Sequence, residues 1–192
     1  IAAYLVFHGV KLHEDFAIGW ASPWVSSILG IISGVAIGKI TEFYTSTKYK
    51  SVRSIAEISR EGEAFVITKG DAVGSKSCLL PILVIGLSLF ISGKLCGVYG
   101  IAIAALGMLS FVATTVSIDA FGPIADNAGG IAESCRLGPD IRAITDQLDA
   151  VGNTTAAIGK GFAIGSAAFA TVSLIFAYVG SYSGSAEPVL NI

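Results

Sequence analysis

Charge is what this chain has least of. Of its 192 residues only 14% are Asp, Glu, Lys or Arg, against about 25% in an ordinary soluble domain. Sulfur and imidazole are as scarce: three cysteines (Cys78, Cys96, Cys135) and two histidines (His8, His13). An odd number of widely separated cysteines builds no disulfide framework, and none has the spacing of a metal-binding pair. The histidines lie near the N-terminus, far from the carboxylate clusters set into the apolar stretches, and read as solvated loop residues. With a net charge of −2 and no basic arm or aromatic–basic alternation, no nucleic-acid partner is expected. The ends carry no signals either. Residues 1–7 are apolar but have no charged segment before them and no small-residue cleavage site after them. The first residue is Ile and Pro188–Ile192 close without an evident stop, so the chain reads as a piece of a longer membrane protein.

What the chain has in excess is apolar length. It is 53% hydrophobic, with a mean hydropathy of +0.75. A helix crossing the hydrocarbon core needs about 20 mostly apolar residues. Four stretches meet that need: 23–44, 78–96, 98–125 and 154–182, the second reaching 96 only if Lys94 snorkels to the interface. The expected class is therefore an all-α, polytopic bundle of transmembrane helices, held in the membrane by lipid contact. Ser92–Gly97 is short enough to force the second and third spans antiparallel. The two polar stretches, 45–77 and 126–153, are expected to be loops and hold Lys48, Lys50, Arg53, Arg60, Lys69, Lys76, Arg136 and Arg142, eight of the twelve basic residues. Such a bias places both segments in the cytoplasm. Gly30, Gly34 and Gly38 repeat at a spacing of four, and Gly161 and Gly165 do the same in the fourth span. Small faces of this kind let helices approach closely in lipid.

Two polar clusters interrupt this apolar background. One is Asp119-Ala-Phe-Gly-Pro-Ile-Ala-Asp126-Asn127-Ala-Gly-Gly130; the other is Gly152-Asn153-Thr-Thr-Ala-Ala-Ile-Gly-Lys160-Gly161. A charge at bilayer depth costs about 3 kcal/mol on insertion scales, so it usually has a task. Asp119 and Asp126 are seven residues apart, hence close in azimuth and about two helical turns apart. Pro123, between them, is expected to bend the span. Asn153, Ala156 and Lys160 share one helix face, and the glycines flanking Lys160 are expected to leave its amine open. Carboxylates for a hard cation, a lysine for phosphate charge and an asparagine amide are the parts of a metal–phosphate site, Mg²⁺ being commonly held by one or two carboxylates plus phosphate oxygens. A Walker loop is excluded, since Gly161 follows the Gly-Lys pair where Ser or Thr would stand and no strand precedes it. The plainer reading is that Asp and Lys only seal a bundle. Glu42 reads as an interfacial anchor paired with Lys48. Arg142, Asp146 and Asp149 read as surface pairing at helical spacing, with Asp149 in reach of the cytosolic mouth.

These two clusters, extended as Asp126-Asn127-Ala-Gly-Gly-Ile-Ala-Glu133 and Asp146-Gln-Leu-Asp149-Ala-Val-Gly-Asn153, resemble the membrane-integral, ion-pumping pyrophosphatases. Thr41-Glu42-Phe43-Tyr44-Thr45-Ser46 and Tyr99-Gly-Ile-Ala-Ile-Ala-Ala-Leu-Gly-Met108 fit the same family. The likeness runs from about residue 25 to 180, while 1–22 and 65–76 fit poorly. It implies a homodimeric protein of about sixteen helices, of which these would be the ninth to twelfth, hydrolysing magnesium pyrophosphate on the cytoplasmic side and moving H⁺ or Na⁺ across the membrane. It implies further that Asp126 is a magnesium–pyrophosphate ligand, that Asn127 binds substrate, and that Asn153 lies near a potassium position. Lys160 would bind phosphate, and Asp119 would sit between hydrolytic site and ion path; Asp119 and Lys160 are thus the catalytic candidates. Family members that need K⁺ carry small residues where Ala156 and Gly159 stand, and those that do not carry Lys and Thr, so a K⁺-dependent protein is expected. The aspartates that activate the attacking water have no counterpart here, and this piece alone is expected to be inactive. A vacuole-like acidic compartment or a prokaryotic plasma membrane would each suit it. The competing readings are a secondary, ion-coupled transporter with a broken span, and a non-catalytic scaffold.

Overall fold

The computed structural model describes residues 16–183. The histidines at 8 and 13, the apolar run at 1–7 and the chain end at 188–192 lie outside the described residues. Every regular element is helical: α1 (Ala21–Thr45), α2 (Lys50–Ile58) continued by a 3₁₀ turn at Ser59–Glu61, α3 (Glu63–Leu109), α4 (Val112–Asp119), α5 (Phe121–Ser134) and α6 (Pro139–Ser183). No strand occurs among the described residues, as an all-α chain requires. Among the described residues three helical stretches, Ala21–Glu61, Glu63–Leu109 and Pro139–Tyr182, are long and apolar enough to cross a membrane. Along α3 the side chains of Leu79, Ile82, Leu83, Leu87 and Phe90 are all exposed, Leu87 by 61%. Lipid tolerates such a face and water does not.

Drawn straight, the 47 residues of α3 would span about 70 Å at 1.5 Å per residue, twice a bilayer core. They do not run straight. Cys96 (φ −156°, ψ 41°) and Gly97 (φ 60°, ψ −149°) leave the helical region, the second in a left-handed conformation that glycine adopts without strain. Gly100 packs on the carbonyl of Ser92, and Ile101 reaches back to Gly93. In one continuous helix residues 92 and 100 would lie about 12 Å apart. The chain therefore reverses here, at the connection that the apolar pattern had placed at 92–97.

The chain divides into two compact units, and each long helix gives residues to both. The described residues of the first are 16–35, 83–110 and 163–183. Its interior is small and polar: Ser22, Ser26, Ser33, Ser88 and Ser92 are buried beside Ala104, Met108 and Phe169. The Ser33 and Ser88 hydroxyls are hydrogen-bonded, and Ser26 Oγ lies 3.7 Å from Cys96 Sγ. Gly30 rests on the Ala104 carbonyl and Gly107 on that of Ser27. Close backbone approach and buried hydroxyls hold helices together where water supplies no hydrophobic drive.

The second unit comprises 36–82 and 111–162 and carries both polar clusters. Here α5 and α6 form an antiparallel pair. Their turn is closed by Leu137 N–H to the Ala132 carbonyl and Arg136 N–H to the Glu133 carbonyl, each 2.9 Å. That is a Schellman closure, with Arg136 (φ 53°) at the left-handed position where glycine is usual. Pro139 then opens α6, where its missing N–H costs nothing. Gly122 lies against Gly152, and Gly129 against Arg142 and Thr145, so the two helices touch backbone to backbone.

Several expectations change. The segments 45–77 and 126–153 are polar but mostly helical. Apolar length marks where a membrane can be crossed, whereas a helix continues as long as one face finds a neighbour. Span 98–125 is not bent by Pro123. It is broken earlier, at Ser110–Phe111 and again at Ala120, and Pro123 falls in the first turn of α5, where no backbone hydrogen bond is lost. Glu42 pairs with Lys39 (2.9 Å), one turn before it, rather than with Lys48.

Candidate functional site

The turn at 135–138 folds α6 back along α5 and brings together carboxylates that are distant in sequence. Asp126, Glu133, Asp146 and Asp149, with Gly129 and Arg142, line one shallow pocket of about 160 Å³. Arg142 sits at its back wall. Its Nη1 donates to the Gly129 carbonyl at 2.8 Å and lies 3.7 Å from Glu133 Oε2, while Nη2 is 3.2 Å from Asp146 Oδ1. The pairing of Arg142 with Asp146 was legible in the helical spacing. Its reach across to α5 was not, because nothing in the sequence says which helix lies opposite. One guanidinium faces four carboxylates, which leaves the pocket a surplus of negative charge.

Two of those carboxylates, Asp126 and Asp149, are not engaged by the guanidinium and are open to a ligand. Asp126 is exposed and has no hydrogen bond or ion pair among the described residues. Asp149 accepts one bond, from Asn153 Nδ2 to Oδ1 at 3.0 Å, and its second oxygen is uncommitted. Asn153, exposed and one turn further along α6, thus hangs on the rim of the pocket. Asn127 is exposed too, but its amide folds back on its own helix, donating to the Pro123 carbonyl at 2.7 Å. A hard divalent cation takes oxygen ligands, and Mg²⁺ in particular keeps water and binds through one or two carboxylates plus substrate phosphate. Asp126 and Asp149 suit that incomplete mode. No preformed cluster of three His, Cys, Asp or Glu ligands occurs among the described residues, so a closed all-protein cage does not fit.

Lys160 lies seven residues beyond Asn153 on the same face of α6, about 10 Å along the axis. It is exposed and forms no ion pair among the described residues. Its flanking glycines do something other than clear space for the amine. A Cβ on Gly161 would come within 3.0 Å of Thr41 Oγ1 and 3.2 Å of Ile37 on α1. A Cβ on Gly159 would meet the Asp119 carboxylate at 2.5–2.8 Å. These glycines therefore let α6 pack closely on α1 and α4, which puts the lysine between two tight helix contacts. Ala156 is half-buried between Asn153 and Gly159.

Asp119 is not part of the acidic pocket. It is the last residue of α4, half-buried, with Oδ1 fully buried and without a hydrogen-bond partner. The structure thus separates two aspartates that the sevenfold spacing had put on one face: Asp126 opens to the surface and Asp119 turns onto α6. A larger cavity of about 400 Å³, lined by Glu42, Ser46, Lys48, Gln147, Thr154 and Ile158 among others, lies on another flank of α6. It carries few charged groups and, although Thr154, Thr155 and Ile158 of the second cluster line it, none of Asp126, Asn127, Asn153 or Lys160.

A family model described as inorganic H⁺ pyrophosphatase matches residues 1–191. The chain belongs to that family. Among its relatives, a K⁺-stimulated pyrophosphate-energized sodium pump of Thermotoga maritima is 57% identical over 166 residues, covering 86% of this chain and 23% of the relative. A putative pump of the same name from Clostridium tetani is 51% identical over 199 aligned positions, covering the whole chain and 30% of the relative. One from Bacteroides thetaiotaomicron is 44% identical over 168, covering 81% and 23%. The chain spans 23–30% of the length of these relatives. Inorganic H⁺ pyrophosphatases being integral membrane proteins, the three long apolar helices are accounted for.

Proposed function

We propose that the protein to which this chain belongs hydrolyses magnesium pyrophosphate and uses the reaction to move a cation across its membrane. The observation that carries this reading is the joining, within one unit of a family member, of a surplus-negative pocket (Asp126, Asp149) with an unpaired lysine and an asparagine on one face of α6. Asp126 and Asp149 hold the magnesium that accompanies pyrophosphate, and the metal supplies neutralisation of phosphate charge. Lys160 contacts a phosphate oxygen as a point charge. Asn153 orients Asp149 and, with Asn127, borders the substrate. Arg142 fixes the register of α5 on α6 and takes up Glu133 and Asp146, leaving the other two acids available.

The translocated ion is sodium and the activating ion potassium in this reading, because all three relatives are named as K⁺-stimulated sodium pumps. Small residues at Ala156 and Gly159 are consistent with a required K⁺ beside Asn153. The proton named in the family description is the alternative. The site is on the cytoplasmic side, the four spans are 23–44, 78–96, 98–125 and 154–182, and the working protein is a homodimer. Phosphate release from magnesium pyrophosphate by the full-length protein, measured in sealed vesicles with and without K⁺, tests the reading. Ion uptake without hydrolysis would mark a secondary transporter instead.

A further inference from the structure

Arg142 reaches from α6 to the backbone of α5. Its Nη1 donates to the Gly129 carbonyl at 2.8 Å, and a Cβ on Gly129 would stand 3.9 Å from the same nitrogen, so the guanidinium lies along bare helix backbone. From there it meets Glu133 at 3.7 Å and Asp146 at 3.2 Å, whose side chains are 75% and 60% exposed. Ion pairs so open to solvent add little stability. What the arrangement does change is the number of oxygens left for a cation. Asp126, Glu133, Asp146 and Asp149 all line one pocket, and Arg142 engages two of them.

That subtraction separates two metals. Mg²⁺ is satisfied by one or two carboxylates, with water and phosphate oxygens completing an octahedron at about 2.0–2.1 Å. Ca²⁺ takes about 6–8 oxygens at about 2.3–2.6 Å in a looser shell, and its affinity follows the number of charged ligands. Two free carboxylates therefore suit magnesium, and four around one pocket would suit calcium. A cation entering the pocket repels the guanidinium, but the Gly129 carbonyl is a neutral anchor that the cation's charge does not compete for. The planar fork of arginine meets a carbonyl and two acids at once, whereas a lysine ammonium is a point charge.

We infer that Arg142 is a specificity-determining residue of the metal pocket: by occupying Glu133 and Asp146 it holds the site to two carboxylates and so selects Mg²⁺ against Ca²⁺. The inference deepens the pump reading and rests on it for the metal's task as the counter-ion of pyrophosphate. The choice between the two ions rests on the contacts of Arg142.

The test uses the full-length protein in detergent, without pyrophosphate, so that it reads metal binding and not turnover. Thermal unfolding is followed against MgCl₂ and CaCl₂ at constant ionic strength, which gives a half-saturating concentration for each ion. The variants are Arg142→Gln, Arg142→Lys, and Arg142→Gln combined with Glu133→Gln and Asp146→Asn. Arg142→Gln keeps a donor for Gly129 and releases both acids, so the ratio of half-saturating Ca²⁺ to Mg²⁺ should fall at least about tenfold. Arg142→Lys should move the ratio the same way by less, and decides the matter if Arg142→Gln does not fold. The triple variant should return to the wild-type ratio, because the released acids can no longer act as ligands. A merely structural arginine would lower the unfolding temperature of all three in metal-free buffer and leave the ratio alone. An unchanged ratio in the single variants, or a calcium preference that survives in the triple variant, would overturn the inference. Failure of pyrophosphate hydrolysis in the wild type would count against the pump reading and leave this comparison intact.

Discussion

Adding a single methyl group at Gly152 should damage the candidate site from a distance. A Cβ there would stand 2.7 Å from Gly122 Cα, where carbon atoms prefer about 3.5–4.0 Å. The obstacle is backbone on both sides, so no side chain can swing away, and α5 and α6 must separate by about 1 Å. Overpacking of this kind costs about 1–3 kcal/mol, offset by up to about 1 kcal/mol because alanine favours a helix over glycine. Asp126 follows Gly122 by one turn and Asp149 precedes Gly152 by one turn, so the carboxylate pocket widens with the helices. A misplacement of about 1 Å at a reacting centre lowers turnover on the order of a hundredfold. Gly152→Ala in the full-length protein is therefore expected to lose ten- to a hundredfold in kcat/KM for magnesium pyrophosphate and to unfold at a lower temperature. Gly122→Ala should be milder, since its nearest obstacle is the Gly152 carbonyl at 3.2 Å. Gly74→Ala, with nothing within 4 Å, should be neutral or more stable by up to about 1 kcal/mol. Pyrophosphatase rates and unfolding temperatures on the three variants are the assay. Wild-type behaviour of Gly152→Ala, or greater harm from Gly122→Ala, would show that this helix contact does not set the pocket.

Three further outcomes are expected of the full-length protein. Lys160→Ala should abolish hydrolysis, while the amount of protein in the membrane, read by immunoblot, stays the same; normal turnover would leave Lys160 a packing residue only. Asp126→Asn, similar in size but uncharged, should need at least about tenfold more Mg²⁺ for half-maximal rate, and an unchanged Mg²⁺ titration would remove Asp126 from the ligands. Ala156→Lys should supply an ammonium in place of K⁺ and make the rate indifferent to added K⁺. A partner change of Gly159→Thr is expected to be harmful, because its Cβ would collide with Asp119; a double variant as fast as Ala156→Lys alone would contradict that.

How much of this was readable in the sequence follows the range of the forces involved. Helical class and the reversal near 92–97 were legible, since apolar length and a short connection are local properties. The residues of the two clusters were legible as well, because charge is conspicuous in so apolar a chain. The ends of helices were not. The polar stretches 50–58 and 139–153 are helical, and polarity alone does not distinguish a surface helix from a loop. Pro123 was misread because a proline in a first turn and a proline in a helix interior look identical until Ala120, three residues before it, is known to interrupt the helix. The reach of Arg142 across to α5 and the seat of Asp119 on Gly159 could not be read at all. Both depend on which turn of α6 lies across from which turn of α4 and α5, a register fixed by Gly122 and Gly152 meeting backbone to backbone. Those glycines were visible as small residues, but no spacing rule pairs one helix's glycine with another's.

The central claim concerns hydrolysis coupled to ion movement, and it is tested most directly by the full-length protein in sealed vesicles with the site facing outward. Radioactive sodium uptake and phosphate release are followed together after adding pyrophosphate, with Mg²⁺ and K⁺ present and a protonophore holding the proton gradient at zero. The account predicts sodium uptake that starts with pyrophosphate, persists with the protonophore, and disappears together with phosphate release in Lys160→Ala. Sodium uptake driven by a gradient alone, with no phosphate released from pyrophosphate, would contradict it.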